Sequence, residues 1–379
     1  MTIYSQTSSI DMSLHTDLSR FCQDLFCTFA RSDQRRWGEV YVRGLTDVRG
    51  RKSVRRISEH VLGERADQNL QQFVNQSPWE WGPVRSRLAQ HVSAMLRPRL
   101  WVAKEVIFPK NGASSVGVAK QYVDTWGRTL NCQVGLALFV AGDLGSCPVN
   151  WKLQLPRSWN DDLERRKRTH LPDEERHRPR WSHLLDAVDE MALDWDLTPP
   201  PILVDARHER NTEPLLAGLE ERGLHYLVRV KDGTPLVARR GGPALAWHKG
   251  RAEMPGRARF VLAPLAPART PVNRPPRPHP GPRRVLAEWP SSQPSPTDLW
   301  LTNLNPSRLQ SLTDLIRLSR RTSTDLTVMK EELGLQHFEG RSFRGWHHHV
   351  TLVSVAHGHR LLQGLAEDAL AERRRPRSA

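Results

Sequence analysis

The chain is short of several things that would have placed it quickly. Only four of its 379 residues are cysteine (Cys22, Cys27, Cys132, Cys147), and no two stand in a Cys-x-x-Cys spacing. That excludes a disulfide framework, argues against structural zinc, and suits reduced thiols in a cytosolic protein. The longest apolar run, Val134 to Gly142, is about half of what a spanning helix needs. Residues 1–30 lack a basic segment followed by an apolar one, so no secretory signal is expected. There is no internal repeat, no Gly-rich phosphate loop, no Ser/His/Asp order and no Cys/His nucleophile pair. Acidic residues are also scarce: 41 Asp and Glu against 56 Lys and Arg leave a net charge of +15. Such a surplus suits a polyanionic partner, most simply nucleic acid. With 38% hydrophobic and 26% charged residues, the composition excludes a membrane protein and argues against wholesale disorder. The length suggests about two to three structural units at roughly 150 residues each.

Residues 1–97 read as helical. Phe21, Leu25 and Phe29, then Trp37, Val40, Tyr41 and Leu45, recur at three- and four-residue spacing. Asp33 is placed to cap the second of these helices. Arg49–Arg56 opens another, with Arg49, Arg51, Lys52, Arg55 and Arg56 in eight residues. Ser77-Pro78-Trp79 reads as a cap leading into a helix to about Met95. From about residue 100 the pattern changes to Val-rich strands at Leu100–Phe108, Ser115–Tyr122 and Asn131–Val140. Helices are predicted over about 160–176 and 181–195. Pro199-Pro200-Pro201 then introduces a buried strand, Ile202-Leu203-Val204, that ends in Asp205. A helix from about Thr212 to Arg222, Gly223 as its C′ residue and a strand at His225–Val230 complete an α/β core.

Residues 232–297 hold a proline cluster (Pro271, Pro275, Pro276, Pro278, Pro280, Pro282) between possible strands at Arg259–Leu262 and Val285–Trp289. They read as an insertion of β character with a loop, outside the main sheet. A further strand at Leu299–Leu304 and helices over about 324–334 and 344–363 follow. Residues 366–379 read as a disordered basic tail. The division expected is 1–97 helical, 98–231 with 298–365 as the core, 232–297 as the insertion, and 366–379 as the tail.

Several stretches together carry a resemblance: Trp37–Leu45, Gln76–Trp81, Phe108-Pro109-Lys110-Asn111-Gly112, Ser115–Tyr122, Asn131–Val134, Lys330–Ser342 and Gly345-Trp346-His347-His348-His349. In this order and spacing the chain resembles a bacterial insertion-sequence transposase of the DDE superfamily endonuclease type. The resemblance runs over about residues 20–363. It implies an RNase H-like mixed sheet flanked by helices, with three carboxylates, two on core strands and one on a late helix. These hold two divalent ions, Mg²⁺ or Mn²⁺. One ion activates water or a 3′-hydroxyl and the other stabilises the leaving oxygen of an in-line displacement at phosphorus. Double-stranded DNA, both element ends and target, is the implied partner, engaged by a homodimer, with a cytoplasmic, nucleoid-associated location and no membrane.

Carried over residue by residue, the acid pattern is incomplete. Asp205 stands where the family's second acid stands. The family opens the first strand with Asp-Asp-Thr-Gly before Phe-Pro-Lys; here that stretch is Lys104-Glu105-Val106-Ile107, and the ligand position holds Lys104. Glu105 is the nearest carboxylate, but neighbouring strand residues face opposite ways, so it serves only through a bulge. The third acid belongs seven residues before Lys330, which is Ser323. Asp325 is the nearest substitute, about 140° from Lys330 around a helix. Asp205, Glu105 and Asp325 are therefore the candidate catalytic residues, with Asp205 and Glu105 as metal ligands. The expected outcome is a transposase with impaired strand cleavage, or a transposase-derived DNA-binding protein or repressor without nuclease function.

DNA binding needs less. Arg51, Lys52, Arg55 and Arg56, with Lys330, Arg341 and Arg344, are candidate phosphate contacts. Arg165–Arg168 forms a second basic cluster. His347-His348-His349 looks like a metal tract, but consecutive helical residues point apart and cannot share one ion. Trp79, Trp81, Trp151, Trp159 and Trp346 are expected to fill the core.

Overall fold

The protein is described by a computed structural model over residues 17–231, 252–253, 258–264, 282–290, 296–305 and 309–374. Five helices come first: α1 (Leu18–Leu25), α2 (Ser32–Asp47), α3 (Val54–Leu62), α4 (Asp67–Asn75) and α5 (Trp81–Leu96). Their apolar positions behave as the spacing predicts, with Phe21, Leu25, Tyr41 and Leu45 buried. Ser53 caps α3 by accepting the Arg56 N–H at 3.3 Å. Two starts differ from the sequence reading. Arg31, not Asp33, is the N-cap of α2, and α5 begins only at Trp81.

The core follows with β1 (Leu100–Pro109), β2 (Ala119–Val123), β3 (Arg128–Gly142) and β4 (Gly145–Gln154). Then come α6 (Leu163–Arg168), α7 (Arg180–Asp189), β5 (Ile202–Asp205), α8 (Glu213–Glu221) and β6 (Tyr226–Val230). The long helix expected over 160–176 is only the short α6. Gly223 lies at φ 69° just past α8, the left-handed stop that its C′ position needs. Strand β4 was not legible beforehand, because Asn150, Lys152 and Gln154 give it a polar look. Tertiary partners absorb that polarity: the Asn150 amide donates to Glu190 at 3.0 Å, and the Lys152 ammonium pairs with the same carboxylate at 2.6 Å.

The last elements are β7 (Ala252–Glu253), β8 (Ala258–Pro264), β9 (Arg284–Pro290), β10 (Asp298–Thr302), α9 (Leu309–Glu331) and α10 (Phe343–Arg374). The sheet runs β4-β3-β1-β5-β6-β10-β9-β8-β7, with β2 sharing the outer edge of β3. β4, β3 and β1 are antiparallel; β1, β5 and β6 are parallel. This is the RNase H-like order, a mixed sheet flanked by helices.

Three expectations change. The proline-rich pattern places β8 and β9 outside the main sheet, yet β9 pairs with β10 and β10 with β6, so they extend it. Pairing to an existing edge satisfies their backbone groups, which an isolated hairpin would leave to water. Pro271 to Pro280 lie outside the described residues. α9 begins fifteen residues earlier than expected, at Leu309, because Leu312, Leu315 and Ile316 already form a buried stripe. α10 reaches Arg374, so residues 366–374 are helical; 375–379 lie outside the described residues.

One apolar cluster joins the N-terminal helices to the sheet, running from Phe21 and Tyr41 through Trp101 and Trp151 to Trp346. Gly142 in β3 permits a close approach: a Cβ there would lie 2.4 Å from the Leu96 carbonyl oxygen at the end of α5. No helix among the described residues is long and apolar enough to cross a membrane.

Candidate active site

The parallel pairing of β1 with β5 sets Ala103 opposite Val204, so the next residues, Lys104 midway along β1 and Asp205 at the end of β5, are neighbours. β6 adds Arg229 directly opposite Asp205. α9 crosses the same face, and the Lys104 ammonium donates to Ser323 Oγ at 3.0 Å. Positions 104, 205 and 323, where the resemblance places the three acids, thus come together in space. They hold a lysine, an aspartate and a serine.

Asp205 is surrounded by donors. Arg207 gives it Nε at 2.9 Å and Nη2 at 2.7 Å, and its backbone N–H adds a bond at 3.2 Å. Arg229 Nη1 lies at 3.5 Å. Burial alone would raise the carboxyl pKa; the Arg207 bonds and the two guanidinium charges outweigh it and hold Asp205 below the usual carboxylate range. Lys104 shifts the other way. Burial pushes its ammonium down, Asp205 opposes that, and Arg229 and Arg207 add to it.

The charged row continues across the sheet. Arg229 also pairs with Asp298 on β10, Asp298 stands opposite Glu288 on β9, and Arg320 of α9 reaches both Glu288 oxygens at 2.7 Å. Cations and carboxylates alternate from β1 to β10, and Arg320 of α9 pairs with Glu288 on β9.

A Mg²⁺-type ion needs about six oxygen ligands in near-octahedral order. Here it would meet one carboxylate already held by two guanidiniums, one hydroxyl and an ammonium. These residues do not fit a divalent ion, and among the described residues no three His, Cys, Asp or Glu side chains converge as a metal site.

The other two candidate acids lie elsewhere. Glu105 faces the opposite side of the sheet and pairs with Arg180 of α7 at 2.9 Å. The bulge that could have turned it back is absent: the β1–β3 register is unbroken from Leu100 to Pro109. Asp325 accepts a hydrogen bond from Ser146 Oγ of β4, and its charge acts on His357 of α10. Neither is brought to Asp205.

The basic candidates separate into inward and outward groups. Arg51, Arg55 and Arg56 are exposed, the first paired with Glu339 at 2.6 Å and the second with Glu59 at 2.9 Å. Lys52 is buried and its ammonium donates to the Val48 carbonyl, so it is turned away from any phosphate. Lys330 is half-buried, Arg341 exposed and Arg344 half-buried. In the second cluster, Arg166 is buried and Arg165 stacks 4.0 Å from the Trp159 ring; Lys167 and Arg168 point out.

The histidine tract occupies three separate buried niches. His347 stacks on Trp81 and meets Arg85, His348 stacks on Trp79 at 3.6 Å, and His349 Nδ1 lies 3.0 Å from the Tyr41 hydroxyl. Trp79, Trp151, Trp159 and Trp346 are buried, and Trp81 packs against the same cluster.

Two features escaped the sequence. Arg207 and Arg229 clamp Asp205; the first was readable as Asp-x-Arg after a strand, the second only from register. The β2–β3 hairpin presents Tyr122 (60% exposed) and Trp126 (45% exposed), with Arg128 over the Trp126 ring at 5.5 Å. The charge of Asp124, between β2 and β3, acts on Arg207.

Asp205 at the end of β5, with Lys104 and Ser323 beside it, thus sits on an RNase H-like mixed sheet flanked by helices. The pattern of the DDE superfamily endonuclease family matches residues 24–295, and the chain belongs to that family. A search of curated proteins found no match.

Proposed function

We propose that this chain is a transposase-type DNA-binding protein that engages double-stranded DNA, element ends and target alike, without two-metal strand cleavage. One observation carries the reading. Lys104 and Ser323 bond to each other at the two positions where metal acids belong, while Asp205 is occupied by Arg207. A cation at 104 repels a divalent ion by the same Coulomb term through which an acid would attract it. DNA affinity stands on other residues. The net charge of +15 and the exposed Arg51, Arg55, Arg56, Lys167, Arg168 and Arg341 supply phosphate contacts that need no metal. A homodimer on DNA and a nucleoid-associated location accord with this role. An active transposase is the competing reading; it would require Mg²⁺ or Mn²⁺ to be held by Asp205 with Glu105, which pairs with Arg180 on the opposite face of the sheet, or with Asp325, which bonds to Ser146 of β4.

The test combines binding and cleavage on one duplex carrying the element's terminal repeats. Salt-sensitive binding with no nicking in Mg²⁺ or Mn²⁺ is expected. Robust metal-dependent nicking that disappears in Asp205→Ala would overturn the proposal.

A further inference from the structure

We infer that the degenerate site has become a metal-independent seat for one DNA phosphodiester, with the Lys104 ammonium standing where a divalent ion belongs. The inference rests on the DNA-binding reading above and deepens it.

Charge counting comes first. Within the bonded row, Lys104, Arg207, Arg229 and Arg320 stand against Asp205, Asp298 and Glu288, four cations against three carboxylates. The surplus is one positive charge. It resides on Lys104, which among the described residues has Ser323 Oγ as its hydrogen-bond partner and no carboxylate within ion-pair distance. A phosphodiester carries one negative charge.

Geometry agrees. An ammonium has three donors, and Ser323 takes one. Arg207 turns Nε and Nη2 toward Asp205, which leaves its Nη1 edge free. The Asp205 and Arg207 side chains are 39% and 45% exposed, so the site opens to solvent. The fixed Asp205–Arg207 pair holds the guanidinium edge in place before a ligand arrives. A phosphate seated there would accept from Lys104 Nζ and Arg207 Nη1 together, in charge-assisted bonds stronger than neutral ones. Lys330, two helical turns from Ser323 on the same helix, lies along the path of the adjoining backbone.

The experiment measures binding of a fluorescein-labelled duplex of about 30 base pairs by anisotropy, in EDTA, across a salt series. Wild type, Lys104→Met, Lys104→Arg and Arg207→Gln are compared after their thermal melts show folding. Wild type is expected to bind fully in EDTA. Lys104→Met should weaken binding several-fold and flatten the log-affinity against log-salt slope by about 0.9, the signature of one lost phosphate contact. Lys104→Arg should restore the slope. Arg207→Gln should reproduce the loss, which keeps the test decisive if Lys104→Met does not fold. Unchanged slopes in Lys104→Met and Arg207→Gln would overturn this inference and leave the DNA-binding reading standing. A wild type that fails to bind duplex, or binds only with Mg²⁺, would overturn both.

Discussion

Lys104 on β1 and Ser323 on α9 are joined by a 3.0 Å hydrogen bond between residues 219 positions apart in the chain. The bond links the central strand to the helix that closes the site, and it lies beside Asp205. Replacing either partner by an acid should therefore have consequences that depend on the other.

Ser323→Glu places a carboxylate against the Lys104 ammonium. An exposed ion pair is worth about 0.2–1 kcal/mol. The variant should gain stability in that range in urea melts. In the Lys104→Met background, Ser323→Glu should lose that gain, which a double-mutant cycle isolates. Stabilisation by Mg²⁺ in Ser323→Glu alone would contradict the view that the ammonium excludes the ion.

Glu105 is tied to Arg180 on the far face, with both side chains about a third exposed. Glu105→Gln should leave DNA affinity and its salt slope unchanged and cost less than about 1 kcal/mol of stability. Loss of DNA binding in Glu105→Gln would place this face, not the Lys104 face, against the duplex.

Arg85 is fully buried where α5, β4 and α10 meet. It donates to Thr351 Oγ1 at 2.8 Å and to the Trp151 carbonyl at 2.9 Å, and its Nη2 lies 3.1 Å from His347 Nδ1. Burial pushes its pKa down to about 9, with Glu190 opposing. Arg85→Ala leaves these acceptors without donors and opens a void, at a cost of about 3–5 kcal/mol in urea denaturation. Arg85→Lys should recover little, because one ammonium cannot reach the acceptors on both β4 and α10 in the fixed fork of a guanidinium.

The histidines of α10 make the fold acid-labile. Burial pushes His348 and His349 down to about 3 and holds His347 well below its ordinary value. Backbone carbonyls on both sides of His348 oppose that push without overcoming it. Unfolded, each titrates near 6.5. Above that pH both states are neutral and their contribution is complete. Below it the unfolded chain takes up protons that the native state refuses, so stability falls as pH drops from about 6.5 toward about 3. The slope contributed is about 1.4 kcal/mol per pH unit for each histidine. Urea melts between pH 7 and 4 should show a slope of several protons; a slope of one or fewer would contradict the burial of the tract.

Much of the core was legible from the order of residues. Val-rich runs marked β1 and β3, Pro199-Pro200-Pro201 announced β5, Gly223 marked the end of α8, and the three-to-four spacing of Phe21, Leu25, Tyr41 and Leu45 marked the first helices. These are local signals, because period and backbone restriction act within a few residues. The substitutions at 104 and 323 were also visible, since each needs only a position counted from a motif. Other features were not local. β4 looks polar until Glu190 and Ser354 arrive to meet Asn150, Lys152 and Trp151. The strands beyond residue 250 joined the main sheet because its β6 edge was open to β10, and strand pairing is decided between segments far apart in sequence. Only the register of β1, β5 and β6 could show that Lys104, Asp205 and Arg229 stand in one row, that Glu105 turns to Arg180, and that Asp325 belongs to Ser146. The sequence by itself determined which side chains are present at the family's three positions. Tertiary structure decided what they face, because a charge acts through its neighbours in space, and those come from segments as far apart in the chain as Lys104 and Ser323.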